Sequence, residues 1–331
     1  MNRRLLPLVL ALATSAVAVA CDNAGADRSI GLDATGTISG TVHFDANGSG
    51  TVDALDVPFA NARVRLLRPT SRDTVLRANT DVDGTFSFLN VPVGTYDVIL
   101  DSASAGDSAQ VIGVDEGRVT VTPGNTVTVV GTISFPQRAA IEVRTLPLGE
   151  RAFVTGVALH ARETFSDTLL HVVDTSGAIR AVRLRPGTAG AVAGDSVRLR
   201  GRVALRLGQR VLDDVTVFII GPTLIPTINT ITTGVAATAS AGALDASLVR
   251  ILDADITDSV TVGGNLTLTV NDGSGALTVL LDRAADIAFR APLPANLYDV
   301  GNTFDLVGVL VPAGNGSFVL RPRSSLDLTL R

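Results

Sequence analysis

From Gly36 onward one signature recurs: short runs of Val, Thr, Ile and Leu in which apolar and polar residues alternate. Thr37-Ile38-Ser39-Gly40-Thr41-Val42, Arg63-Val64-Arg65-Leu66-Leu67 and Thr126-Val127-Thr128-Val129-Val130 are examples. Successive strand side chains point to opposite faces, so a period of two gives each run one apolar and one wet face. Gly, Asn-Gly, Asp-Gly and Pro punctuate the runs as antiparallel turns require. Helical spacing is scarce, and short helical turns are expected only at 284–289 and 187–193. The chain is therefore expected to be all-β.

Two stretches interrupt the strand pattern. Phe135-Pro136-Gln137-Arg138 and Gly221-Pro222-Thr223-Leu224-Ile225-Pro226 place proline where a sheet ladder needs a donor, which suits linkers. They divide the chain into modules at 36–136, 138–222 and 228–331. The last two repeat one another. Asp174-Thr175-Ser176-Gly177-Ala178-Ile179 matches Asp272-Gly273-Ser274-Gly275-Ala276-Leu277. The run from Gly194 to Gly201 matches that from Gly301 to Gly308, and Gly208-Gln209-Arg210-Val211-Leu212 matches Gly316-Ser317-Phe318-Val319-Leu320. The order is preserved.

The first 20 residues begin with Arg3 and Arg4, continue with an apolar stretch, and end Ala18-Val19-Ala20 before Cys21. A charged start, a short apolar run and small residues at a cleavage point make an export signal. The stretch is too short to span a bilayer as a helix. The pattern resembles the bacterial lipoprotein signal, which implies lipidation of Cys21, the chain's only cysteine. Residues 21–35 then read as a flexible tether. The expected location is outside the cytoplasm, lipid-anchored to a bacterial membrane.

A second motif lies in the first module. Asp45, Asn47, Ser49, Asp53 and Asp56 occupy positions 1, 3, 5, 9 and 12 of a twelve-residue calcium loop, Gly50 the turning position 6, and Thr51 the position that offers a carbonyl. Calcium (Ca2+) needs six to eight hard oxygens, and this spacing wraps them around one point. Ser49 in place of an acidic or amide residue, and Asp56 in place of the longer glutamate, imply a weak site, sufficient where calcium is near millimolar. A strand pattern precedes the loop, which argues against an EF-hand.

Downstream, Thr80-Asp81-Val82-Asp83-Gly84-Thr85-Phe86-Ser87-Phe88 and Val91-Pro92-Val93-Gly94-Thr95-Tyr96 complete a pattern over 36–136. It resembles the B-type repeats of Gram-positive Ser-Asp-repeat adhesins and is similar to carboxypeptidase regulatory-like, prealbumin-type β-sandwiches. The resemblance implies a calcium-stiffened sandwich, some relatives of which bind carbohydrate. Tyr96 is expected in the core, and Asp81 and Asp83 in a turn. The two later modules resemble OB-fold modules of exported bacterial proteins. The expected architecture is an N-terminal β-sandwich followed by two small OB-like β-barrels.

Charge is unevenly divided. The chain has no lysine, so all 27 basic residues are arginine, which excludes lysine-dependent chemistry such as P-loops and Schiff bases. Residues 138–222 carry 12 Arg against 8 acids, whereas 36–137 carry 6 against 11 and 228–331 carry 6 against 10. In the middle module Arg198, Arg200 and Arg202 share one strand face, and Arg183 and Arg185 share another. Guanidiniums so arrayed suit phosphate, sulfate or uronate groups. The stacking aromatics that single-strand binders also need are few, since Phe153 and Phe218 sit in apolar runs and are expected in the core. No G-x-S-x-G or H-E-x-x-H occurs, and glutamate appears only at 116, 142, 150 and 163. His171, near Asp167 and Asp174, is the only candidate His–carboxylate pair. The sequence reads as a non-enzymatic envelope lipoprotein that binds or displays, with a protein or glycan ligand. The alternative is binding of nucleic acid or acidic polysaccharide through the arginine face.

Overall fold

The computed structural model describes residues 34–106, 109–115, 117–186, 190–286, 289 and 296–331. The export signal, Cys21 and nearly all of the tether lie outside the described residues. The protein is almost entirely β, and its elements fall into a sandwich and two barrels.

The sandwich uses nine strands. One sheet joins β1 (Thr35–Phe44), β2 (Val57–Pro58), β5 (Thr85–Pro92), β7 (Gln110–Asp115) and β9 (Thr126–Ser134). The other is ordered β4 (Thr74–Asn79), β3 (Arg63–Leu67), β6 (Gly94–Asp101), β8 (Arg118–Val121). Strict alternation buries Ile38 and Val42 of β1 and Phe86 and Phe88 of β5 between the sheets, with Val64, Leu66, Val98 and Val119 opposite. Tyr96 is buried there too, and its hydroxyl donates to the Pro92 carbonyl (2.9 Å). Asp81 accepts from the Asp83 and Thr85 amides, as a turn residue does.

Each barrel closes by the same route. In the first, β10 (Arg151–Ala158), β11 (Leu169–Val173) and β12 (Ala178–Val182) form a meander. The hairpin β13 (Asp195–Arg206) and β14 (Gln209–Pro222) then closes it, β14 running parallel to β12 and β13 returning to β10. In the second, β15 (Asn229–Thr230) precedes β16 (Leu248–Val262), β17 (Asn265–Asn271), β18 (Leu277–Leu281), β19 (Thr303–Pro312) and β20 (Phe318–Arg321), which repeat that closure. Strand β21 (Leu328–Leu330) adds to the β19 edge. Two OB-like five-stranded barrels result.

The matched Asp-x-Ser-Gly segments have a structural task. A short helix precedes each barrel: α1 (Ala140–Val143) and α2 (Thr233–Thr238). Asp174 accepts from the Ala140 amide (2.7 Å) and Ser176 Oγ from the Ile141 amide (3.1 Å). Asp272 accepts from the Thr233 amide (3.0 Å) and hydroxyl (2.7 Å), and Ser274 Oγ from the Gly234 amide (2.9 Å). Orphan amides at each helix start are thus satisfied from the turn between the second and third barrel strands. These helices are too short for periodicity to announce. The helical turns expected at 187–193 and 284–289 fall partly outside the described residues.

Desolvation opposes the Asp272 charge, but its hydrogen bonds win and hold the carboxyl down at about 2. That depressed value means the contribution to stability is complete above the ordinary carboxylate range and is lost as pH falls through about 2. Asp272→Ala should therefore lower stability at pH 7 by about 1–2 kcal/mol, the usual cost of a lost cap. Denaturant unfolding of the variant beside the parent measures it, and an unchanged midpoint would contradict the capping role.

Candidate functional site

The two features that stood apart in the sequence, the Asp45–Asp56 loop and the arginine ladder, meet at one junction. Strand β13 pairs with β10 so that Arg198 faces Thr155, Arg200 faces Phe153 and Arg202 faces Arg151. These side chains lie on the outside of the barrel, opposite the core formed by Val154, Val197, Leu199 and Val203. The sandwich covers part of that outer face. Arg198 donates to the Asn47 carbonyl (3.1 Å) and Arg200 to the Ala46 carbonyl (2.7 Å).

Phe153 is buried, as expected, but at this junction rather than in the barrel core. Its ring packs near Phe135, which in turn meets Phe44 edge-on at 5.1 Å between centroids. Arg151 sits over the Phe135 ring. The segment 135–138 is correspondingly no loose linker. The Phe153 amide donates to Pro136 (2.9 Å), and the Arg138 amide donates to Phe153 (2.8 Å). Phe218 corrects the expectation: it is only half-buried on the outer face, with the Arg200 guanidinium 5.7 Å from its ring centre.

Within the loop, Asp45 is buried and gathers three amides, those of Gly48 (2.6 Å), Ser49 (3.0 Å) and Gly50 (2.9 Å). Asn47 accepts from the Ser49 amide and donates to Asp53 (2.9 Å), while Ser49 Oγ donates to the Thr51 carbonyl (2.7 Å). Asp56 accepts from the Ala46 and Asp53 amides. Burial pushes the Asp56 carboxyl up, and the Asp45 and Asp53 charges add to that, although amide hydrogen bonds oppose it. The donor set is all oxygen and carries three carboxylates, which suits a hard cation. Among the described residues no three His, Cys, Asp or Glu side chains converge to hold a metal by themselves. The Asn47 and Ser49 oxygens and the Thr51 carbonyl would have to complete the set.

Of the other ladder arginines, Arg183 and Arg185 have acidic partners. Arg183 forms a fork with Asp213 (2.6 Å twice), which also takes Arg206 (2.9 Å). Arg185 forms a fork with Asp214 (3.0 and 2.6 Å). Arg202 is exposed.

A second junction joins the barrels. Leu159 and Phe165 pack against Leu248 and Val309. Arg144 donates to the carbonyls of Gly242, Ala243 and Asp245 (2.6–2.9 Å). Arg180 pairs with Asp245 (3.1 Å), both nearly fully buried. Arg323 reaches the Leu159 carbonyl (3.0 Å), and Arg321 lies over the Phe165 ring. His171 is paired with neither Asp167 nor Asp174. It is fully buried here, 2.8 Å from His160. His160 Nδ1 faces the Ala161 carbonyl (2.7 Å) and must carry the proton, which leaves Nε2 to accept from His171 Nδ1–H and from the His171 amide.

Compared with known proteins, the chain matches no family model and no curated protein sequence. Solved structures similar to it include the S. pombe Stn1–Ten1 complex, at 21% identity over 25% of this chain and TM-score 0.22. The chain spans 57% of the length of that structure's chain. The E. coli protein ygiW is 17% identical over 26% of this chain and 97% of its own, at TM-score 0.21. The Ifi202 HINa domain in complex with 20-bp double-stranded DNA is 14% identical over 56% of this chain and 97% of its own, at TM-score 0.26. The functional reading rests on this chain's own geometry.

Gly48 and Gly50 both have positive φ (73° and 80°), but a Cβ on Gly48 would meet Arg198 Cδ at 2.8 Å and the Phe153 ring at 2.9 Å, whereas Gly50 faces open space. Gly50→Ala should cost about 1 kcal/mol of backbone strain, and Gly48→Ala clearly more. Equal losses in melting temperature would contradict the docking of the loop on the barrel. Burial lowers the His160 pKa from 6.5 to about 4, and that of His171 also falls well below 6.5. With folded values depressed, stability is full above 6.5 and declines as pH falls from there towards 4, by up to about 1.4 kcal/mol per pH unit for each histidine. Melting curves between pH 7 and 5 measure this, and His160→Gln should flatten the dependence.

Proposed function

We propose that the chain is a non-enzymatic envelope protein whose sandwich and two barrels work as one stiff binding or display body. The observation that carries this reading is where the arginines are spent. Arg198 and Arg200 tie the first barrel to the sandwich, and Arg144 and Arg180 tie it to the second barrel. Charge-assisted hydrogen bonds to backbone are directional and strong, so each junction holds an angle as well as a contact. A stiff body projects a surface away from a membrane, whereas loosely linked domains collapse and tumble.

Membrane attachment rests on the sequence around Cys21, and acylation there would anchor the tether without a spanning helix. Calcium deepens the reading. Asp45, Asn47, Ser49, Asp53, Asp56 and the Thr51 carbonyl would hold it, and the ion would neutralise the three carboxylates. The same loop offers Ala46 and Asn47 carbonyls to the barrel, so a stiffer loop is a stiffer junction.

A second reading, binding of nucleic acid or acidic polysaccharide, is favoured by one observation: Arg202 is exposed beside Arg151 and Arg200 on the barrel's outer face.

Small-angle scattering of the full chain in detergent-free form (Cys21→Ser) tests the leading reading. The parent should scatter as one rigid body, and Arg198→Ala with Arg200→Ala should broaden its distance distribution. Calcium should raise the melting temperature relative to chelator, and Asp45→Ala should abolish that rise. A parent as flexible as the double variant would refute the stiff-body reading, and an unchanged melt would refute the calcium site.

A further inference from the structure

A small cleft opens on the outer face of the first barrel beside the sandwich junction. Arg151, Arg185, Arg200, Arg202, Asp214 and Thr216 line it, with Gly201 at its floor. Four guanidiniums and one carboxylate leave it strongly positive. They come from separate elements: Arg151 opens β10, Arg200 and Arg202 belong to β13, and Arg185 follows β12.

The backbone is shaped to make this convergence. Strand β14 carries a bulge opposite Gly201, where the pairing steps from Arg202–Asp213 to Arg200–Thr216. Asp214 lies within the bulge at φ 56° and reaches Arg185. Bulges re-aim side chains and recur beside functional sites. A Cβ on Gly201 would crowd Val215 at 3.0 Å and Leu212 at 3.2 Å.

Arg151 and Arg202 are direct cross-strand neighbours, a like-charge pairing, and Asp213 flanks Arg202 on the other strand. Arg200 already donates to Ala46 and stacks on Phe218, so it is held in place rather than free to swing away. Burial lowers the Arg200 pKa, and the charges of Arg185 and Arg151 lower it further. An anion placed among them would relieve that repulsion. Planar guanidinium forks match tetrahedral and planar oxyanions.

We propose that this cleft binds a single oxyanion group, a sulfate or phosphate, through Arg151, Arg200 and Arg202, with Thr216 as hydroxyl donor and Arg185 oriented by Asp214. The proposal deepens the second reading above by naming a discrete charged group in place of an extended surface. The group would arrive either as the free ion or as a substituent on a polymer.

Calorimetric titration of the full chain with sodium sulfate and with sodium phosphate, at ionic strength held constant with sodium chloride, tests it. Dextran sulfate and single-stranded DNA are titrated in parallel. Saturable one-to-one binding of sulfate or phosphate is expected. Arg202→Gln should weaken it about tenfold or more, the worth of a hydrogen bond to a charged group. Arg202→Lys should recover only part of the loss, and Arg68→Gln, exposed on the sandwich, should leave binding unchanged. Because sulfate stabilises most proteins nonspecifically, the variant comparison decides. No saturable binding, or binding indifferent to Arg202→Gln, overturns the proposal. Polymer binding that survives in Arg202→Gln while sulfate and phosphate show nothing overturns the discrete site and leaves a general electrostatic surface. Absence of polymer binding as well overturns both readings. Ion and polymer binding lost together identify the polymer-borne group as the ligand, and ion binding alone identifies the free ion.

Discussion

Guanidinium-to-carbonyl hydrogen bonds across the module junctions are the interaction on which the arrangement depends. A carbonyl has no net charge, so such a contact adds direction without a second buried ion. Arginine suits it because five donors in a rigid plane can serve several carbonyls at once. Arg144 does so, serving Gly242, Ala243 and Asp245 of the second barrel and also Ala178 of its own. Lysine would offer a more strongly hydrated point charge with no fixed plane. A chain that carries arginine at every basic position can put the same chemistry at both junctions.

The apolar part of each junction is modest, a few aromatic rings at one and Leu159, Phe165, Leu248 and Val309 at the other. Burial of this size favours contact but does not fix an angle, since the hydrophobic effect is non-directional. The polar ties supply the angle. The Arg180–Asp245 pair adds an obligation: with both side chains nearly fully buried, loss of either would strand a charge at a cost of about 3–5 kcal/mol. Burial pushes Asp245 up and the two arginines pull it back, so the ion pair and the packed interface stand or fall together.

Much of this fold was legible because a strand face has only two sides. Alternation put Ile38 and Val42, and likewise Val64 and Leu66, on one apolar face, and the repeated Asp-x-Ser-Gly and Gly-hairpin motifs marked two copies of one module. The capping contacts explain why those residues recur, since a helix start needs oxygen acceptors and a tight turn can present them. Alternation does not say what covers the outward face. Phe153 reads as core by composition and is buried, but against another module. Arg198 and Arg200 read as a ligand surface and are partly occupied by the chain itself. The register Phe153–Arg200 held the clue, because a large apolar residue on the arginine face of a neighbouring strand calls for a cover that is not water.

Module charge had a use that composition alone left open. The middle module is rich in arginine, while the modules on either side carry an excess of acids. A basic module between two acidic ones is electrostatically matched to dock with both of its neighbours: the loop whose carbonyls meet Arg198 and Arg200 also holds Asp45, Asp53 and Asp56, and at the other junction Arg180 pairs with Asp245 directly. Arg183, Arg185 and Arg206 are answered by acids of the middle module itself, and Arg180 by Asp245 of the second barrel. Arg202 stands exposed at the bulge, on the same outer face as Arg151 and Arg200, and the proposed anion would sit there.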